Sequence, residues 1–249
     1  MDLVSIIIPY FKKKDYILEA INSILDQTYQ NFEVIIVYDD ANKSELSFIY
    51  NIQKLDRRIK VLVNEKNVGA GLSRNYGIKN SNGKYIAFLD ADDLWKKEKL
   101  QKQISIMEQK NFLITHTSYE ILGNNNKSSN IRKARNLNFK KLLKSCDVGL
   151  STVVIKKNLF DQNIKFSNIK TKEDYILWLL LTKNGHIFNA INETLSFWRI
   201  SKNSLSSPIL RRLIDGFTVY YEYMQFSLIK SIFLLIRLSF NYLWKNLKF

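Results

Sequence analysis

The strongest constraint on the fold is an alternation of two hydrophobic patterns in the N-terminal part of the chain. Short, nearly continuous runs of apolar and β-branched residues are typical of strands buried on both faces of a parallel sheet. Between these runs, apolar residues recur at helical spacing. Strand and helix therefore alternate, which predicts a doubly wound, mostly parallel α/β sheet. The predicted strands are residues 4–8, 32–37, 59–63 and 85–89, and the predicted helices are 17–25, with Asp15 as a candidate cap, and 46–55.

Acidic residues follow two of these predicted strands. Asp39 comes after the second strand, and Asp90, Asp92 and Asp93 come after the fourth. Ligands of such sheets bind at the carboxyl ends of the strands. Two carboxylates that leave a buried strand can hold Mg²⁺ or Mn²⁺ while diphosphate oxygens and water fill the other positions. An Asp-x-Asp sequence is also common in turns, and Asp93 is a candidate cap for a helix beginning near Trp95.

The rest of the chain predicts a smaller mixed region and then a helical tail. In the mixed region, a helix that opens on two acidic residues and closes on Asn-Gly is well delimited, because glycine suits the left-handed residue that follows a helix. The predicted elements are a helix at 96–109, a strand at 112–122, a polar loop at 123–135, a strand at 148–155 and a helix at 173–183.

Short motifs also follow one another in a fixed order. They are SIIIPY at 5–10, ILDQTY at 24–29, FEVIIVYDD at 32–40, NVG at 67–69, SRNYG at 73–77, DADD at 90–93 and EDYILW at 173–178. Together they resemble the bacterial family 2 inverting glycosyltransferases of the GT-A fold over residues 3–207. The resemblance implies a GT-A-like α/β fold in which 1–110 bind a nucleotide sugar, 111–207 carry the acceptor site and the base, and 208–249 form a helical tail.

The resemblance implies several contacts to the nucleotide. Pro9 and Tyr10 would lie beside the base, Asp39 would accept a hydrogen bond from the uracil imide, and Arg74 would contact the nucleotide. These roles suit the side chains, because a uracil N–H needs an acceptor and arginine offers a fork of donors. The alternatives are that Pro9 ends a strand and that Arg74 makes an ordinary ion pair on a helix surface.

The resemblance also implies the metal ligands and the base. Asp92 would be the main protein ligand of a divalent metal, and Asp90 would lie against both the metal and the ribose or base. Asp174 would take the proton of the acceptor hydroxyl, with Glu173 orienting it or binding the acceptor. The alternative for the last pair is two acidic residues that favour a helix N-terminus.

A segment near residue 200 resembles the part of the family that folds over the donor diphosphate. Arg199 and Lys202 would hold the diphosphate, or they are solvated surface charges. Many family members place a histidine two residues after this arginine. Here Ser201 stands at that position, so no histidine contact to metal or phosphate is expected.

The C-terminal tail mixes aromatic and aliphatic residues with Lys230, Arg237, Lys245 and Lys248. Its uninterrupted apolar stretches are shorter than the roughly 20 residues that span a bilayer. The pattern predicts an amphipathic helix in the membrane interface. A helix packed on the protein core, or a dimer contact, is the alternative.

Charge and cysteine content limit the partners and the compartment. The formal net charge of +15 favours a polyanionic partner, and the single Cys146 cannot form an intramolecular disulfide. No nucleic-acid motif is present, and no basic segment precedes the first apolar run. These features predict a cytoplasmic protein, peripheral on the inner face of the cytoplasmic membrane, and they leave its oligomeric state open.

The predicted function is metal-dependent, inverting transfer of a hexose or N-acetylhexosamine from a UDP-sugar to a glycan acceptor. The acceptor is expected to be lipid-linked and destined for bacterial surface polysaccharide such as O-antigen or lipopolysaccharide. A sugar nucleotidyltransferase is one alternative, although its glycine-rich basic N-terminal loop is absent. A non-enzymatic binder of nucleic acid or an anionic surface is the other.

Overall fold

The computed structural model describes residues 1–123, 128–200 and 209–247. Its strands are β1 Val4–Tyr10, β2 Phe32–Tyr38, β3 Ile59–Val63, β4 Tyr85–Phe88, β5 Leu94–Trp95, β6 Ile114–Leu122, β7 Ser128–Arg132, β8 Val154–Lys156 and β9 Asn189–Arg199. Its α-helices are α1 Lys14–Leu25, α2 Leu46–Gln53, α3 Ala70–Lys79, α4 Lys99–Gln109, α5 Phe139–Leu142, α6 Glu173–Lys183, α7 Ile209–Thr218 and α8 Leu228–Leu247.

One sheet runs through both halves of the chain. The order β3-β2-β1-β4 is parallel throughout, and it continues through β8, β6 and β9 to β5, with β7 paired to β6. Strand β8 is antiparallel to both β4 and β6, whereas β6 and β9 are parallel. The predicted α/β sheet is confirmed, and its mixed part is continuous with the parallel part.

Two predicted elements of the mixed region are wrong. The expected strand at 148–155 is interrupted by a 3-10 turn at Leu150–Thr152, so that only Val154–Lys156 pair as a strand. The turn forms because the Thr152 amide donates to the Gly149 carbonyl at 3.0 Å. The expected loop at 123–135 contains β7, whose polar residues pair with β6 at the edge of the sheet. An edge strand needs no apolar face toward a second layer, so its sequence can be polar. A hydrophobic pattern therefore does not identify it.

The sheet carries hydrophobic cores on both faces, as expected of a doubly wound fold. Although β1 is apolar nearly throughout, its residues alternate between the cores: Ile6 and Ile8 pack toward α1 and α4, and Ile7 packs toward α3 and α6. Burying an aliphatic side chain of this size contributes about 1.5–3 kcal/mol. These layers fix the carboxyl ends of β1, β2 and β4 along one edge.

Helix α1 begins at Lys14, with Lys13 in the cap position. Asp15 therefore lies in the first turn of the helix. The prediction that Asp15 is the cap is wrong. A carboxylate in that turn still interacts favourably with the positive end of the helix dipole.

Helix α6 is buried on nearly all sides. Tyr175 and Trp178 are fully buried in the core beneath β4, and the helix closes at Asn184 with Gly185 at φ +87°. The predicted Asn-Gly ending is therefore confirmed. Because the body of α6 cannot shift without disturbing the core, its first residues are held at a fixed place beside α3.

The C-terminal helices pack on this core. Tyr220, in the π-helical turn between α7 and α8, donates to the Leu143 carbonyl at 3.0 Å, and its hydroxyl lies 2.9 Å from that of Tyr175. Ser231 and Leu234 of α8 are buried. Within the described parts of the chain, no helix has both the length and the apolar character needed to cross a membrane.

Candidate active site

The candidate site lies where β1, β2 and β4 end. Because these strands are parallel, Tyr10, Asp39 and the segment Asp90–Asp93 meet at one edge of the sheet, as predicted. Tyr10 stacks on Tyr38 with ring centroids 5.6 Å apart, and its hydroxyl donates to Glu45 at 2.5 Å. Burial raises the pKa of Tyr10, so its hydroxyl stays protonated.

Asp39 is a buried acceptor that organises the loop before α3. Its Oδ1 accepts hydrogen bonds from the Asn64 side-chain amide at 2.9 Å and the Val68 amide at 2.8 Å, and its Oδ2 accepts from the Gly69 amide at 2.8 Å. A carboxylate offers about four acceptor positions. Counting the described residues, one acceptor position on Oδ2 therefore remains for a further donor.

Helix α3 can lie close to its neighbours because glycines occupy its contact points. Gly69, with φ +90°, starts the helix in a conformation that other residues rarely adopt. A Cβ at Gly71 would lie 2.4 Å from the Ser167 carbonyl oxygen, and one at Gly77 would lie 2.6 Å from the Ile7 side chain. Gly71, between the NVG and SRNYG motifs, thus lets α3 approach the segment that leads into α6, and Gly77 lets it approach β1.

Arg74 joins two carboxylates from distant parts of the chain. One terminal nitrogen of its guanidinium lies 2.7 Å from Asp90 Oδ1, and the other lies 2.7 Å from Glu173 Oε1. The arginine side chain is 4% exposed, so both ion pairs are largely screened from water. The alternative that Arg74 makes an ordinary ion pair on a helix surface is therefore wrong. Its predicted contact to the nucleotide stays a prediction.

Asp90 and Asp92 follow β4, and each contacts a basic side chain. Asp90 shares Arg74 with Glu173, and Asp92 Oδ2 lies 2.7 Å from Lys13 Nζ. Burial raises the pKa of Asp90; the Arg74 guanidinium opposes this rise, and Asp92 adds to it. A cation beside these two carboxylates would relieve their repulsion.

The two carboxylates suit a metal that binds together with a nucleotide. In the part of the chain that the structure describes, no three Asp, Glu, His or Cys side chains are grouped so that they could hold a metal ion by themselves. Mg²⁺ and similar hard cations commonly bind through one or two carboxylates, with substrate phosphates and water completing the shell. Asp90 and Asp92 fit this second kind of site.

Asp93 has a structural position. Its Oδ2 accepts from the Ser151 hydroxyl at 2.5 Å, and its Oδ1 accepts from the Arg199 amide at 3.0 Å. The alternative that Asp93 caps a helix near Trp95 is wrong, because Trp95 lies in β5 and α4 begins at Lys99. Asp93 instead ties the end of β4 to β9 and to the 3-10 turn.

Glu173 and Asp174 open α6, and Glu173 binds the terminal guanidinium nitrogen of Arg74 that Asp90 does not bind. The alternative of an acidic helix N-terminus is compatible with this position, but it does not account for the contact of Glu173 to a buried guanidinium. Burial, and then the charge of Glu173, raise the pKa of Asp174 to about 6. A carboxylate with this pKa is still ionised at neutral pH and is a stronger base than an ordinary aspartate.

The predicted diphosphate contacts near residue 200 are only partly described. Arg199 is buried, lies 2.6 Å from Glu19 Oε2, and stacks over the Tyr16 ring at 5.0 Å. In this arrangement its side chain connects β9 to α1. Lys202 and Ser201 lie outside the described residues.

Sequence reasoning missed three residues that shape the site. Ser151 donates to Asp93 and accepts from the Asp90 amide at 3.2 Å, Asn64 binds Asp39, and Lys13 contacts Asp92. Lys13 sits in a run of three lysines, where its position carries no distinguishing signal. Ser151 and Asn64 act through contacts between distant segments, which spacing along the chain does not encode.

We predict that replacing Arg74 by Met lowers the free energy of unfolding by about 3 kcal/mol, because Glu173, which is 14% exposed, and Asp90, which is 35% exposed, lose their shared partner. Urea unfolding at neutral pH measures this loss, and it should shrink in acid, since Asp90, whose pKa burial raises, then takes up a proton. The control is Arg135→Met, whose ion pair with Asp147 is exposed and contributes no more than about 1 kcal/mol. Equal losses in the two variants would contradict the bridge.

Comparison with known proteins agrees with this geometry. The sequence profile described as Glycosyl transferase family 2 matches residues 5–164. TuaG of Bacillus subtilis (strain 168), a glycosyltransferase assigned to teichuronic acid biosynthesis, is 32% identical over 98% of each chain. The Escherichia coli UDP-Glc:α-D-GlcNAc-diphosphoundecaprenol β-1,3-glucosyltransferase WfgD is 36% identical over 94% of this chain and 91% of its own length.

A solved structure gives the same fold. The crystal structure of S. aureus TarS residues 1–349 in complex with UDP-GlcNAc superposes with a TM-score of 0.72 and 20% sequence identity, covering 90% of this chain and 64% of that chain. At this identity the likeness concerns the fold, and the predicted GT-A-like architecture is confirmed. The profile match and the two full-length relatives carry the classification: the chain belongs to glycosyl transferase family 2.

Proposed function

We propose that this protein is an inverting, metal-dependent transferase that moves a hexose or N-acetylhexosamine from a UDP-sugar to a lipid-linked glycan acceptor. The product would enter bacterial surface polysaccharide. The observation that carries the proposal is the contact of one buried guanidinium, that of Arg74, with both Asp90 and Glu173. This contact supports the proposal, because the carboxylate suited to a metal and the residue pair suited to proton removal share one guanidinium.

Two observations support a UDP-sugar as the donor. The Asp39 carboxylate lies beside the ends of β1 and β2, and its Oδ2 accepts one hydrogen bond among the described residues, from the Gly69 amide. A uracil suits such a place, because its imide N–H needs an acceptor. The relative WfgD is named for transfer from UDP-Glc, which favours glucose among the hexoses.

The transfer is proposed as a single displacement. Asp174 takes the proton of an acceptor hydroxyl, whose oxygen forms a bond to the anomeric carbon as the bond from that carbon to the diphosphate breaks. The electron pair of the broken bond leaves with UDP, and the configuration at the anomeric carbon inverts. Glu173, held by Arg74, keeps a negative charge beside Asp174 and so maintains its raised pKa.

A divalent metal completes the donor site in this proposal. Asp92 and Asp90 would hold Mn²⁺ or Mg²⁺, and when bound the ion supplies positive charge that stabilises the departing diphosphate. The protein groups have separate roles. The Asp90 and Asp92 carboxylates would hold the metal beside the donor diphosphate, and Asp174 would take the proton of the acceptor hydroxyl.

The proposed acceptor and cellular location rest on the acceptor for which a relative is named. WfgD is named for an acceptor on diphosphoundecaprenol, a lipid carrier. A lipid-linked glycan is presented at a membrane surface, and we place this protein at the inner face of the cytoplasmic membrane. The family classification favours sugar transfer over both a sugar nucleotidyltransferase and a non-enzymatic binder. Release of UDP, as opposed to pyrophosphate, distinguishes the first two.

We predict that Asp174→Asn lowers kcat by about 10²–10⁴-fold while UDP-sugar binding changes little, because the amide cannot accept the proton. In the wild type, kcat should be level at neutral pH and should fall about tenfold per pH unit below about 6, where Asp174 becomes protonated. UDP release and calorimetric binding measure the two effects. Asp161→Asn, at an exposed turn, serves as the matched control. Wild-type kcat in Asp174→Asn would remove the proposed base.

We predict that Asp92→Ala abolishes the part of UDP binding that depends on Mn²⁺, because a main metal ligand is lost. Titration of UDP with Mn²⁺ and with a chelator, for wild type and variant, measures this part. The control Lys13→Ala removes the ion-pair partner of Asp92 and keeps the carboxylate, so its metal dependence should persist. Wild-type binding that is equally tight with a chelator would contradict the metal role.

A further inference from the structure

Helix α8 carries a row of exposed apolar side chains. Ile229 is 83% exposed, Ile232 44%, Phe233 59% and Ile236 63%. Their spacing of three and four residues places them on one face of the helix, within an arc of about 100°. We call these four residues the outer stripe of α8.

The opposite face of α8 is fixed against the protein. Ser231 and Leu234 are buried, Leu235 and Leu238 pack against the same core, and the Asn241 side-chain amide donates to the Lys144 carbonyl at 2.6 Å. At about 100° per residue, this packed face lies roughly opposite the outer stripe. The helix therefore cannot turn the stripe inward without losing its own core contacts.

Basic residues border the outer stripe. Lys230 and Arg237 are exposed on one flank of it, and Lys230 Nζ lies 3.7 Å from the Phe226 ring centroid in a cation–π contact. The preceding helix α7 also carries exposed apolar residues, Leu210 and Ile214. An exposed apolar row beside basic residues is the arrangement of helices that lie in the interface of an anionic bilayer.

The net charge of the chain favours an anionic membrane over a second copy of the chain as the partner of this face. A second copy would bring another chain of formal net charge +15 against the basic flank, and like charges oppose that approach. A bilayer containing anionic phospholipid offers the opposite charge and an apolar layer at the depth of the stripe.

We propose that the outer stripe of α8 inserts into the interface of an anionic phospholipid membrane, with Lys230 and Arg237 at the level of the headgroups. The helix thus uses both faces, one to pack on the protein and one to bind the bilayer. This extends the proposed function by naming the surface that meets the membrane. It is independent of the donor chemistry, since it needs neither nucleotide nor metal.

Co-sedimentation with vesicles tests the proposal on the full chain. The vesicles are phosphatidylcholine alone or with phosphatidylglycerol, without donor or acceptor. Phe233→Ser together with Ile236→Ser should lower the partition coefficient at least tenfold. Lys230→Gln and Arg237→Gln should each lower binding to the anionic vesicles about fivefold and leave binding to the neutral ones unchanged.

The matched control replaces two exposed apolar residues of the N-terminal half, Tyr50→Ser with Leu55→Ser, and should keep wild-type vesicle binding. Circular dichroism and light scattering check that each variant is folded and report its mass.

Equal partitioning of the α8 variant and the control would overturn the proposal. A wild-type dimer that becomes monomeric in the α8 variant, with vesicle binding unchanged, would also overturn it and would assign the stripe to self-association. Vesicle binding by a chain that releases no UDP with any UDP-sugar would support the proposal and contradict the proposed function instead.

Discussion

The ion pairs of Arg74 with Asp90 and Glu173 hold together the two parts of the candidate site. Without a cation between them, the negative charges at the end of β4 and at the start of α6 would repel one another in a largely buried place. The guanidinium suits this task because its fork reaches two carboxylates at once. Glycines at both ends of α3 let this helix approach β1 and the segment before α6, and so they place Arg74 within reach of both partners.

Much of the parallel half could be predicted because its signals are local. The strands β1 to β4 are short apolar runs, and parallel strands in one sheet necessarily bring their carboxyl ends, with Asp39, Asp90 and Asp92, to one edge. The predictions for the mixed half were less accurate. The 3-10 turn at Leu150–Thr152 lies in an apolar run that reads as a strand, and β7 lies in a polar run that reads as a loop. In both places the segment also hydrogen-bonds to a distant part of the chain: Ser151 of the turn donates to Asp93, and β7 pairs with β6.

The side chains of the site show the same division. Asp90, Asp92, Glu173 and Asp174 were identified from motifs, but the motifs did not reveal that Arg74 bridges the two pairs. Asp93 was a candidate helix cap, and it instead binds Ser151 and the Arg199 amide. The periodicity of α8 left membrane binding and core packing as alternatives. The structure gives the helix one face packed on the core and a separate exposed apolar face, so core packing does not exclude membrane binding.

We propose that the donor diphosphate and the acceptor base act on opposite sides of one anomeric carbon in a single displacement. The anomeric configuration of the product formed from an α-linked UDP-sugar tests this, and it is read from the H1–H2 coupling in the proton NMR spectrum. Inversion gives a β-linked product from UDP-Glc, with the large coupling of two axial protons. An α-linked product would mean retention, and it would contradict Asp174 as the base of a single displacement.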